Sequence, residues 1–140
     1  VGTFNMLRLA AAAMATNQPD SEGERGVIVN TASVAAFEGQ IGQAAYAASK
    51  GGILGLARSL AVESAAENIR VNTISPVITD TPMPRAVLSD EIMESRKSRI
   101  PLGRIGDVKD MTEACMFLFS DDSSYIVGQD VRVNGGSTLW

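Results

Sequence analysis

The chain of 140 residues contains no histidine. Histidine is the side chain whose ordinary titration range best suits proton transfer near neutral pH. Its absence excludes Ser-His-Asp triads, histidine-activated cysteines and histidine-rich metal sites together, and no metal is expected. Cysteine occurs once, so no internal disulfide framework exists. That residue, Cys115, falls in a helical apolar pattern that suits a buried structural thiol better than a nucleophile. There is no excess of positive charge: 12 Lys and Arg face 16 Asp and Glu, for a net charge of −4. With no basic run either, neither a nucleic acid nor a membrane surface is expected as a partner. The acidic loop residues read as a solvated face. No apolar run approaches membrane-spanning length, and the first residues show no charged region leading into an apolar segment.

What is present is a globular composition, with 45% apolar and 20% charged residues, and a length suited to one domain at most. The chain opens on "VGTFNMLRLAAAAMA", already in a helical pattern and without an initiator methionine. We therefore expect residues 1–140 to be the C-terminal part of a single domain whose upstream half is missing. A polar loop with Pro19, Gly23 and Gly26 precedes "GVIVNTA", a short β-branched run bounded as a buried strand should be. Loop residues 33–43 lead into a long helix over 44–67, followed by a second β-rich run, "IRVNTIS", which Pro76 is expected to stop. Residues 81–99 read as one charged helical surface stretch behind two prolines, and 100–107 as loop. Asp107 is a natural N-cap for a helix whose Met111, Ala114, Cys115, Leu118 and Phe119 follow i, i+3, i+4 spacing. A strand "QDVRV" and a glycine turn close the pattern, and Trp140 is expected to pack as a C-terminal tail.

Strands alternating with helices imply βαβ crossovers and a parallel sheet covered on both faces. Three strands leave an unpaired edge, a second sign of a missing half. Ligands of such sheets bind beyond the carboxyl ends of the strands. Ser33 after the first strand, Tyr46 early in the next helix and Pro76 to Thr81 after the second strand all fall there.

Tyr46 and Lys50, at i and i+4, share one helix face. A free phenol ionises near pH ~10, about 3 units too high for acid–base work at neutrality, which is roughly 4 kcal/mol. An ammonium about 4 Å away, at an effective dielectric of about 20, supplies about 4 kcal/mol. One lysine is enough, and a serine hydroxyl such as that of Ser33 can hold the substrate oxygen meanwhile. A Tyr-x-x-x-Lys pair alone is more often a core tyrosine beside a snorkelling lysine. Gly51 and Gly52 weigh against that reading, since each costs roughly 1 kcal/mol in a helix and suggests close backbone approach.

Together, "NTAS", "YAASKGG", "RVNTISP", "TDTPM" and "VNGG" resemble the C-terminal half of a short-chain dehydrogenase/reductase over essentially all 140 residues. Within that family, "GERGVIVNTASVAAFEGQIGQAAYAASKGG" is most similar to the type 2 3-hydroxyacyl-CoA dehydrogenases, also known as type 10 17β-hydroxysteroid dehydrogenases. The resemblance implies a Rossmann-like doubly wound α/β fold lacking its N-terminal cofactor-binding half. It also implies Tyr46 as proton donor or acceptor, Ser33 as the group orienting the substrate oxygen, and Lys50 as the ribose contact that makes a phenol a usable acid. Thr79, by its backbone, and Thr81, by its hydroxyl, would hold the nicotinamide carboxamide, and Gln40 would lie in the substrate loop. The implied cofactor is NAD, with NADP open, and the implied substrate an acyl-CoA. A homotetramer is implied, in the cytoplasm or, for a eukaryotic source, in mitochondria. An NADPH-dependent 3-oxoacyl-acyl-carrier-protein reductase shares every residue named, and a non-catalytic member of the fold is the alternative from another class. Three departures stand out. Val77 replaces the family's usual glycine after proline, Thr79 a bulky apolar residue, and neither the Gly-rich phosphate loop nor the family's catalytic asparagine has a counterpart here. Asn5 is out of register for that asparagine. The 140-residue piece alone is therefore not expected to bind a dinucleotide tightly.

Overall fold

Three short runs of β-branched residues pair side by side to organise the molecule. The computed structural model describes residues 1–138, so the expected packing of Trp140 lies outside the described residues. The runs are β1 (Gly26–Thr31), β2 (Ile69–Pro76) and β3 (Asp130–Val133). They form a parallel sheet in the order β1-β2-β3, with Gly26 opposite Ile69 and Thr73 opposite Asp130. Helices α1 (Gly2–Met14) and α2 (Ala44–Ala65) cover one face. The spacing of buried Leu54, Ala57, Ala61 and Ser64 marks the α2 stripe that meets the sheet. Leu7, Ile28, Ile69 and Val71 join Ala57 and Ala61 in the core between them. Helix α5 (Val108–Phe119) covers the opposite face, with Leu118 fully buried. The expected α/β architecture is thus borne out. Middle strand β2 is buried from Ile69 through Ser75, as a strand covered on both faces must be.

Several details depart from the sequence reading. A 3-10 turn, Val34–Ala36, occupies the start of the expected loop. Pro76 ends β2 as its last paired residue rather than stopping the strand before it, and Val77 N–H still donates to Val133 O at 3.2 Å. The charged stretch 81–99 is two helices, α3 (Pro82–Val87) and α4 (Asp90–Lys97), because Leu88 turns extended and Ser89 caps α4. A Cβ on Gly51 or Gly52 would meet nothing within 4 Å, so no neighbour within the described residues requires their small size. Cys115 is half-buried, and burial pushes its thiol pKa up, away from nucleophilic use. Asp107 caps α5 as expected, in a reciprocal capping box with Asp110.

Not all acidic loop residues are solvated. Glu24 pairs with Arg70, which is 5% exposed and points from β2 toward α5. The guanidinium also donates to the carbonyls of Leu118 (3.0 Å), Ser120 (3.2 Å) and Ser123 (3.1 Å) and to Ser123 Oγ (2.9 Å). One cation thus supplies a donor to the Leu118 carbonyl in the last turn of α5, which has no helical partner, and ties that turn to the one after it.

A second polar cluster joins β2 and β3. Ser75 donates to Asp130 Oδ1 at 2.6 Å, while Asp130 Oδ2 is buried without a hydrogen bond, 4.0 Å from Arg132 Nε. Burial pushes the Asp130 carboxyl pKa up, against the opposing influence of Ser75, Arg132 and Arg58. The folded chain therefore holds this proton to higher pH than the unfolded chain, and ionisation costs stability as pH rises through that interval. The difference in urea midpoint between Asp130→Asn and the parent is expected to move in the variant's favour between about pH 3 and about pH 7. A difference independent of pH would show that burial at Asp130 carries no such cost.

Candidate active site

Ser33, Tyr46 and Lys50 lie around the end of β1, and Thr79 and Thr81 follow the end of β2. β1 stops at Thr31, and Ser33 follows with extended backbone as the N-cap of the 3-10 turn. Its Oγ accepts from Ala35 N–H at 3.2 Å, which leaves the hydroxyl proton free to donate outward. Tyr46 stands in the first turn of α2 with 44% of its surface exposed. One turn on, Lys50 reaches back over the end of β1, and its Nζ donates to Thr31 O at 3.0 Å. The same ammonium lies 5.6 Å from the centre of the Tyr46 ring, within cation–π reach. The carbonyl that holds Lys50 had no sequence signal, because any residue supplies one.

The loop after β2 forms the other wall. Val77 has no left-handed backbone, so its Cβ is accommodated where glycine was expected. Thr79 Oγ1 donates to Val77 O at 3.0 Å, so the hydroxyl that distinguishes it from an apolar residue is spent within the turn. Thr81 is the N-cap of α3 but makes no side-chain capping bond, leaving its hydroxyl available. Asp80 and Arg85 pair across this junction, and the guanidinium holds the Asp80 carboxyl below its ordinary range. Gln40 is tied to its own loop, donating to Glu38 Oε1 at 2.8 Å, while Glu38 Oε2 accepts from Thr138 at 3.5 Å. Arg132 also stacks on Phe37, 4.0 Å from the ring centre, so β3 braces the loop that carries Gln40. Beside Val77 lies a cavity of about 120 Å³ lined also by Ile100, Met111 and Val133 among others. Among the described residues no group of His, Cys, Asp or Glu could hold a metal ion, and no helix is long and apolar enough to cross a membrane.

Comparison with known proteins gives concordant matches. The family model described as enoyl-(acyl carrier protein) reductase matches residues 1–138. The 3-hydroxyacyl-CoA dehydrogenase type-2 of Bos taurus is 44% identical over 136 residues, covering 96% of this chain and 51% of that protein. The 3-oxoacyl-(acyl-carrier-protein) reductase of Thermotoga maritima is 39% identical over 138 residues, 99% of this chain and 53% of that one. The crystal structure of 3-hydroxyacyl-CoA dehydrogenase type-2 from Mycobacterium avium superposes with a TM-score of 0.90 at 40% identity, over 99% of this chain and 53% of that one. The chain spans about half the length of these relatives.

Proposed function

Since the chain belongs to the short-chain dehydrogenase/reductase family, we propose that the complete protein transfers a hydride between NAD(H) and the carbinol carbon of a 3-hydroxyacyl thioester of coenzyme A. The observation that carries this is the placement of Lys50: a cation fixed at the carboxyl edge of the sheet by Thr31, close against the Tyr46 ring. An ammonium has three donors, and one is used on Thr31. The donors that remain suit a ribose diol, and the free Thr81 hydroxyl with the backbone of Thr79 suits a carboxamide. The donor set therefore fits a nicotinamide dinucleotide, which when bound supplies or accepts the hydride.

The chain's own work is proton handling and orientation. Ser33 donates its free hydroxyl proton to the substrate oxygen and fixes its direction. Tyr46 takes the alcohol proton as the carbonyl forms and returns it in the reverse direction. Lys50, held by Thr31, keeps its ammonium beside the ring that makes this exchange. Gln40, held by Glu38, lines the substrate loop. NAD is proposed over NADP from the likeness to 3-hydroxyacyl-CoA dehydrogenases. The complete protein is proposed as a homotetramer, which would cover exposed Phe4, Met6 and Leu9 of α1 and Val62 of α2.

A second reading, an NADPH-dependent reductase of 3-oxoacyl carrier-protein thioesters, is supported by the Thermotoga maritima relative of that name. One experiment separates the readings. The purified complete protein should run as a tetramer by light scattering, and should reduce NAD with a 3-hydroxyacyl-CoA faster than it oxidises NADPH with a 3-oxoacyl carrier-protein thioester. The opposite preference selects the second reading. Activity in neither assay leaves a fold without this chemistry and sinks both.

A further inference from the structure

We propose that Gly106 and the Arg104–Asp110 ion pair form a buttress that sets the backbone of residues 77–81, making Arg104 a positioning residue for dinucleotide binding. This rests on the functional reading above, yet Arg104 itself belongs to none of the site residues named there. Thr79 pairs with Gly106 as an isolated parallel bridge. Gly106 N–H donates to Ile78 O at 3.2 Å, and Asp80 N–H donates to Gly106 O at 2.8 Å. In extended chain successive peptide groups face opposite ways. With residues 78 and 80 committed to Gly106, the N–H and C=O of Thr79 itself are turned to the other side, where a carboxamide would need them.

The approach leaves a side chain at residue 106 little room unless Met111 gives way. A Cβ at residue 106 would lie 3.0 Å from Met111 Cε, 3.4 Å from Ile78 O and 3.5 Å from Thr79 Oγ1. What holds Gly106 in place is a single carboxylate that grips both its flanks. Asp110 takes two bonds from the Arg104 guanidinium, at 2.6 and 2.8 Å, and one from Asp107 N–H at 2.7 Å. Arg104 keeps 54% of its side chain exposed and Asp110 30%, so the pair contributes little to overall stability. Its consequence is geometric.

The test uses the complete protein. In Arg104→Met the dissociation constant for NADH, read by fluorescence titration, should rise about tenfold. Turnover at saturating dinucleotide should stay within about twofold of the parent, the pattern of lost uniform binding. Arg104→Lys should recover part of the affinity, since an ammonium cannot match the fork of a guanidinium on both carboxylate oxygens. Gly106→Ala should weaken binding in the same sense with the ion pair intact. If Arg104→Met and Gly106→Ala both bind NADH within about twofold of the parent, the proposal is overturned, whatever happens to their melting temperatures. A parent protein that binds neither NADH nor NADPH overturns the functional reading, and this proposal with it.

Discussion

Tyr46→Phe in the complete protein is expected to lower turnover by about 10²–10⁴, the usual worth of a positioned acid or base. The substitution removes one oxygen and keeps the ring. Tyr46 is 44% exposed and near the start of α2, so little packing depends on its hydroxyl. The ring remains under the Lys50 ammonium, which Thr31 holds independently of the phenol. Melting temperature and NADH affinity should therefore stay near parental values while hydride transfer collapses. A purely structural tyrosine forecasts the reverse, a less stable protein with intact chemistry. Turnover near the parental rate in Tyr46→Phe would end the catalytic assignment.

The largest expected loss of stability is at Arg70. Its guanidinium is buried and satisfies three carbonyls, one hydroxyl and the Glu24 carboxylate. Arg70→Leu leaves the Glu24 carboxylate and the Leu118 carbonyl without this donor, and removing one partner of a buried pair costs about 3–5 kcal/mol. Against a typical total of about 5–15 kcal/mol that is a third or more of the whole. Glu24→Gln should cost less, about 1.5–3 kcal/mol, because the amide oxygen still accepts and the guanidinium keeps its bonds to Leu118, Ser120 and Ser123. Urea midpoints of the two variants measure the contrast. Equal midpoints would mean that the bonds from Arg70 to the Leu118, Ser120 and Ser123 carbonyls add nothing beyond the ion pair.

Much of the architecture was legible because its signals are local. The β-branched runs, the spacing of Met111, Ala114, Cys115 and Leu118, and Asp107 before them each lie within a few residues. The break between α3 and α4 was legible too, but missed. Ser89 precedes Asp90 and Glu91, and Arg96 and Lys97 close the helix, a full set of cap and dipole signals. The Arg70 clamp was not legible, since Glu24 lies 46 residues away and Ser123 53, and no pattern in the chain couples them. Of the site, Ser33, Tyr46 and Lys50 stood out by residue type and spacing. What fixes Lys50 and the loop of Thr79, the Thr31 carbonyl and the Gly106 contact, is backbone, and backbone is the same at every position.

The span of the Arg70 clamp also bears on when it can form. Its partners come from the loop before β1 and from the last turn of α5 and the turn after it, at separations of 46 to 53 residues on either side. Closing loops of that size must precede any reward from the contact. The clamp should therefore assemble after the rate-limiting barrier, once α5 has already docked. A contact absent from the barrier alters the escape rate from the native state and leaves the rate of reaching it untouched. Arg70 then acts as a latch on residence time: stopped-flow traces of Arg70→Leu should show faster unfolding at nearly unchanged refolding.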